Sequence, residues 1–313
     1  MSFRPTNYRF LLYEPLFYCT FLVLSISYAL SGEWKSTHLD LGERRSPNTI
    51  FCIKQDSRGL IWIGTDQGLY RYDGIKLRRY IHDRRNSNSI ADNLVLSVAE
   101  DNVGHLWFGS SRGVISRLWP IEEIFERYHI NLKQAGSIDT LAITTLCYSD
   151  SVGLLAGTNT SGLFHLAADS VFRKIGPSEI KNLRSIYPDR GSRFWLATQS
   201  RGLYRVDFSE QMSRMNIANI PLPTTTSLLR GDDQMLWVGT TKGVYRIRQL
   251  DDSLHTTPPL LSNEIITGII SSPSAASRHG IHLWIATLTG LYGIKEEIGD
   301  INFEKYLNGK QIQ

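Results

Sequence analysis

The side chains that could do chemistry fall into three groups. The first is the histidines, eight in all, of which only His279 and His282 stand close together. Their His-x-x-His spacing could present two imidazoles to a metal, but a site needs three or four donors. The pair lies in the irregular stretch "SSPSAASRHGIH" with no carboxylate beside it. A solvated loop is the expectation there, and no metal is assigned. The second group is the thiols. Cys52 and Cys147 sit inside the apolar runs "IFCI" and "TLCY", where buried free cysteines are expected and a disulfide framework is not. The third group is Asp66, Arg112, Asn159, Arg201 and Lys242, each in a short polar stretch closed by a glycine. The chain carries no G-x-S-x-G elbow, HExxH, Walker A loop or Cys-x-x-Cys, the usual local marks of nucleophilic, metal, phosphate or redox chemistry. No catalytic residue and no cofactor are assigned.

What positions these residues is a phrase that the chain repeats. "IWIGTDQGLYRY" (61–72) returns as "LWFGSSRGVISR" (106–117), "LLAGTNTSGLFHL" (154–166), "FWLATQSRGLYRV" (194–206), "LWVGTTKGVYRI" (236–247) and "LWIATLTGLYGI" (283–294). The anchor positions Trp62, Trp107, Leu155, Trp195, Trp237 and Trp284 are 40–48 residues apart, and five of the seven tryptophans fall on them. A period of this length means a repeat architecture. The phrase gives a strand, a polar turn closed by glycine, and a second strand. An apolar run and a turn such as "DSRG" (56–59) precede it, and an aromatic, β-branched segment such as "KLRRYIH" (76–82) follows.

Four strands per unit in six units predict an all-β fold, a β-propeller of four-stranded antiparallel blades. The run "LIWIG" is apolar on both pleat faces, as a sheet covered on both sides requires. Two residues after each anchor stands Gly or Ala (Gly64, Gly109, Gly157, Ala197, Gly239, Ala286), which suits a close approach of neighbouring sheets. The anchors are therefore read as packing between blades. Calling the strands of a blade A to D, the five polar residues occupy the B–C hairpin tips, around the mouth of the central channel. Their mixture of acceptors, amides and charges suits hydrogen bonding to sugar hydroxyls, and Arg112, Arg201 and Lys242 would favour an acidic sugar.

Residues 48–74, "NTIFCIKQDSRGLIWIGTDQGLYRYDG", and 93–117 closely resemble the two-component regulator propeller repeat. The resemblance extends over nearly all of 32–313 and is weakest at 209–224 and 248–280. It implies the exported sensor region of a hybrid two-component histidine kinase, responsive to carbohydrates, with kinase activity residing in other parts of such proteins. The implied partner is an oligosaccharide, with a homodimer or a second propeller as further possibilities. Two other readings stay open: a propeller-fold lyase or hydrolase resembling virginiamycin B lyase, and an interaction scaffold without a small ligand.

The N-terminus fits export. Arg4 and Arg9 precede the apolar stretch "LFYCTFLVLSISYAL" (16–30), and Ala29-Leu30-Ser31 offers a cleavage site, so 1–31 reads as a signal peptide. The stretch is shorter than the roughly 20 residues of a spanning helix, which disfavours the alternative, an uncleaved anchor. This predicts a periplasmic or otherwise exported protein whose membrane contact comes only through that peptide or a region beyond residue 313. The net charge of +4 is small and no Lys/Arg tract occurs, so nucleic acid is not an expected partner. The segment "EWKSTHL" (33–39) resembles an outer strand yet precedes any inner one. A seventh blade, completed by this segment, is therefore expected; the alternative is a closed six-bladed ring in which "EWKSTHL" or "INFEKYLN" (301–308) stays unpaired.

Overall fold

The computed structural model describes Leu39 and residues 49–308, apart from 131–140, 169, 178, 209–214, 232–233, 251–252, 272–280 and 298–299. The proposed signal peptide and His279 of the histidine pair lie outside the described residues. Six sheets form, each four-stranded and antiparallel, with strands A to D in chain order. The A strands are Ile50–Gln55, Val95–Glu100, Ile143–Ser149, Leu183–Pro188, Thr225–Arg230 and Ile266–Ser271. The outer strands that the sequence marks most weakly are also formed. Met215–Ile220 pairs with strand C of blade four, and Ser253–Thr256 with strand C of blade five. This is the β-propeller expected from the repeat.

Each word of the repeated phrase has a structural task. The tryptophans are buried, Trp62 to 1% and Trp107 to 3% exposure. In blades one, two and four the indole N–H donates to the aspartate of the preceding A–B turn: Trp62 to Asp56 at 2.9 Å, Trp107 to Asp101 at 3.0 Å, Trp195 to Asp189 at 3.2 Å. Asp56 also accepts from the backbone N–H groups of Arg58 and Leu60. One carboxylate thus closes the turn and orients the ring. Burial works against its ionisation, but these donors and the Arg58 charge outweigh burial and hold the Asp56 carboxyl below its ordinary value.

The threonine closes the other end. Thr65, Thr158, Thr198, Thr240 and Thr287 each donate the hydroxyl proton to the carbonyl of the turn glycine, at 2.8–3.1 Å. The same oxygens accept from backbone N–H groups at the hairpin tips. The six glycines that close these hairpins all have positive φ, from 66° to 155°, a region other residues enter at a cost.

Neighbouring blades meet through five mixed hydrophobic clusters. Trp62 of blade one packs with Leu106 and Phe108 of blade two, and Trp107 with Leu154 and Ala156 of blade three. Similar clusters join blades three to four, four to five and five to six. Among the described residues the sixth junction is not built this way. Trp284, Ala286 and Leu291 form one cluster, and Ile61, Ile63 and Tyr70 of blade one form another. Leu39, the one described residue of "EWKSTHL", packs against the blade-one cluster. The rest of that segment lies outside the described residues.

One feature escapes the sequence pattern. In every blade the A–B register slips by one residue at the same place, leaving the second residue of strand A unpaired. These bulge residues are Phe51, Leu96, Thr144, Arg184, Thr226 and Thr267. A bulge re-aims a side chain that regular pairing would commit to one sheet face.

Candidate functional site

The topology places the B–C tips and the D–A connections of all blades at one end of the fold, and hydrogen bonds knit them. Asp66 N–H donates to Thr49 O, and Asp66 Oδ1 accepts from Thr49 N at 3.1 Å. Asn159 repeats the arrangement with Ala142, its Oδ1 accepting at 2.9 Å. Asn159 O in turn accepts from Asn182 N, and Asn182 O accepts from Gln199 N. A belt of backbone bonds therefore runs from tip to tip across blades three and four. Asp66 and Asn159 each spend a side-chain acceptor on the connection that enters their own blade. Sequence alone could not separate this task from ligand contact, because the partner lies 17 residues away in each case.

The three cations are placed differently. Arg112, Arg201 and Lys242 are exposed. Arg112 takes φ 61° in the short 3-10 turn Ser111–Gly113. The backbone N–H groups of Arg201 and Lys242 are held by Thr198 and Thr240. Arg201 lines a cavity of about 350 Å³ together with Glu179, Lys181, Asn182 and Ser200, where the D–A connection of blade three meets the tip of blade four. The five residues singled out from sequence all lie on hairpin tips, and of them Arg201 alone lines this cavity among the described residues. Lys181 and Ser200 join Arg201 there.

A second cavity, about 360 Å³, lies among the inner strands of blades one to four. Its walls include the bulge residues Phe51, Leu96, Thr144 and Arg184, with Lys54, Ser97 and Thr145. Arg184 links the two regions, since its Nη2 donates to Gln199 Oε1 on the tip of blade four at 2.6 Å. Cys52 also borders the cavity. Burial pushes the Cys52 and Cys147 thiols up to about 12, so both are protonated and inert at neutral pH. Neither is in a disulfide, as expected from their apolar surroundings.

Among the described residues, no group of three or more His, Cys, Asp or Glu side chains converges. No described helix is long and apolar enough to cross a membrane.

Known proteins share the repeat and the fold. A family model described as two component regulator propeller matches residues 45–67 and 89–112. No curated protein matches the chain in sequence. Among solved structures, the extracellular domain of a hybrid two component system from B. thetaiotaomicron superposes with TM-score 0.61 at 20% identity, over 85% of this chain and 36% of that one. Virginiamycin B lyase from Staphylococcus aureus superposes with TM-score 0.62 at 15% identity, over 82% of this chain and 84% of that one. A streptogramin B lyase gives 0.63 at 13% identity, over 84% and 85%. At these identities the likeness is one of fold. The chain spans little more than a third of the two-component extracellular domain it superposes on.

Proposed function

We propose that this chain, a propeller carrying the two-component regulator propeller repeat, is the exported, non-catalytic ligand-reading module of a two-component sensor, and that its ligand is a carbohydrate. The observation that carries this reading is a division of labour within the repeat. The recurring residues of the phrase are spent on architecture: tryptophan on the turn aspartate, Gly64 and its equivalents on sheet contact, threonine on the hairpin. The tips change from blade to blade, from Asp66-Gln67 through Ser111-Arg112, Asn159-Thr160-Ser161, Gln199-Ser200-Arg201 and Thr241-Lys242 to Leu288-Thr289. Variable polar loops on an unvarying frame are the usual arrangement of a recognition surface. Arg112, Arg201 and Lys242 would make the charged contacts, and Asp66 and Asn159 would hold the loops that present them.

The lyase reading is favoured by the fold likeness to virginiamycin B lyase, and it needs groups that move protons. Among the described residues the inner-strand cavity is lined by no histidine or carboxylate, which favours binding over turnover. A thermal-shift screen of the purified chain against oligosaccharides, with and without divalent metal ions, separates the two. We expect stabilisation by a glycan without consumption of it. Reversing Arg201 to Glu should weaken an acidic glycan while moving stability by no more than about 0.5 kcal/mol. Metal-dependent turnover of any substrate would defeat the sensor reading.

A further inference from the structure

We infer that the end of the fold away from the hairpin tips is a self-association surface, on which the turns of blades one and two dock against the same turns of a second copy of this chain. The inference is independent of the carbohydrate reading, which concerns the opposite end.

The A–B and C–D turns lie at the other end of each antiparallel blade from the B–C tips. In blades one and two these turns leave large apolar side chains in water. Ile75 is 87% exposed, Val103 71% and Ile121 91%, and Ile124 and Trp119 are exposed beside them. Trp119 and Ile124 face each other across strands C and D. Glu123 ties the C–D turn of blade two to blade one. It accepts from Arg71 at 2.6 Å and from the Tyr80 hydroxyl at 3.2 Å, and it also pairs with Arg78. Single exposed hydrophobic residues need no explanation, but a group of them rimmed by charge marks an interaction surface.

Trp119 departs from the repeat. At the same place in strand C the other blades carry Asp73, Ala167, Asp207, Arg248 and Lys295. The anchor tryptophans are buried, whereas this one is 36% exposed and is nevertheless held in place. The Arg117 guanidinium lies over its ring at 4.2 Å, the His105 ring meets it at 4.5 Å, and its Nε1 donates to Glu126 at 3.4 Å. A side chain already fixed gives up little entropy on contact, and tryptophan is among the residue types that carry most interface energy.

The charges select the occupant. Lys76 follows Ile75 in the blade-one turn, and Glu122 follows Ile121 in the blade-two turn. Both are exposed, and neither side chain has a hydrogen-bond or ion-pair partner among the described residues. A surface with an apolar middle, a free cation on the blade-one side and a free anion on the blade-two side is complementary to itself. A two-fold axis sets Lys76 of each copy against Glu122 of the other and brings the apolar turns together. Such a contact is isologous and closes at two copies.

The test is sedimentation velocity of the purified chain over a concentration series, where a monomer–dimer equilibrium is expected. Ile121→Asp should weaken the dimer by about tenfold. Lys76→Glu and Glu122→Lys should each weaken it as well, because each sets like charges together at both ends of the contact. An equimolar mixture of those two variants should associate again, since opposite charges then meet at both ends. All three positions are exposed, and the thermal midpoint reports that each variant is folded. A chain that stays monomeric throughout the series overturns the inference and leaves the patch to a different protein. A dimer indifferent to Ile121→Asp overturns it too, as does a mixture that associates no better than its two components.

Discussion

Replacing Trp107 by alanine is expected to lower the unfolding free energy by about 3–5 kcal/mol, the range for removing a large buried aromatic. The ring is 3% exposed and sits in the cluster that joins blades two and three. Tyr128 packs against it at 5.1 Å between centroids, and the Arg117 guanidinium lies 5.3 Å from the ring centre. The indole N–H is the second part of the effect. Trp107→Phe keeps most of the contact area but withdraws the donor from Asp101, and a hydrogen bond to a charged group is worth about 1.5–3 kcal/mol. Blade five supplies the control. There Gly231 replaces the turn aspartate, and Trp237 Nε1 is buried without an acceptor among the described residues. Trp237→Phe should therefore cost less than Trp107→Phe. Chemical denaturation of the three variants checks both statements, and equal cost of the two Phe variants would contradict the role given to the aspartate.

The second large effect is expected at the small residue two places on. A side chain at Gly109 would put its Cβ 2.6 Å from Ile143 Cγ2 and 2.9 Å from Ile143 Cβ of blade three, and against Ser97 Oγ of its own blade. The same geometry recurs at Gly64 against Val95 and at Gly239 against Ile266. Those neighbours belong to the adjacent inner strand, so relief requires two blades to separate. Gly109→Val should destabilise by about 3 kcal/mol, the upper end of ordinary overpacking. Gly109→Ala should cost less, since alanine occupies the equivalent position in blades four and six (Ala197, Ala286). Thermal or urea unfolding reads the series, and a neutral Gly109→Val would mean the sheets do not meet there.

The fold was legible because its information is local and repeated. The tryptophan period, the glycine that closes each hairpin and the small residue beside the next sheet are all written in one phrase. Outer strands Met215–Ile220 and Ser253–Thr256 were faint because strand D needs only one covered face, and its residues follow that weaker demand. The site was less legible. Asp66 and Asn159 look like Arg201 in sequence, as polar residues before a glycine. Their acceptors are taken by Thr49 and Ala142 across a connection whose path only the folded chain reveals. Likewise Phe51 and Arg184 carry no shared motif. They become neighbours in one cavity because the same one-residue slip occurs in each inner strand. The cross-strand partner of the tryptophan, arginine in blades one, two, four and five, was visible as a recurring letter. Its place over the ring in blades one, two and five became evident only from the pairing register.

The central claim is that this propeller holds a carbohydrate and leaves it intact. Native mass spectrometry of the purified chain mixed with an oligosaccharide panel tests it most directly, because one spectrum reports both occupancy and the mass of the bound species. The account predicts a one-to-one complex at the mass of the chain plus the unaltered glycan, stable over hours and in the presence of divalent metal ions. A bound or released species lighter than the glycan by an elimination or hydrolysis product, or no complex with any member of the panel, would contradict it.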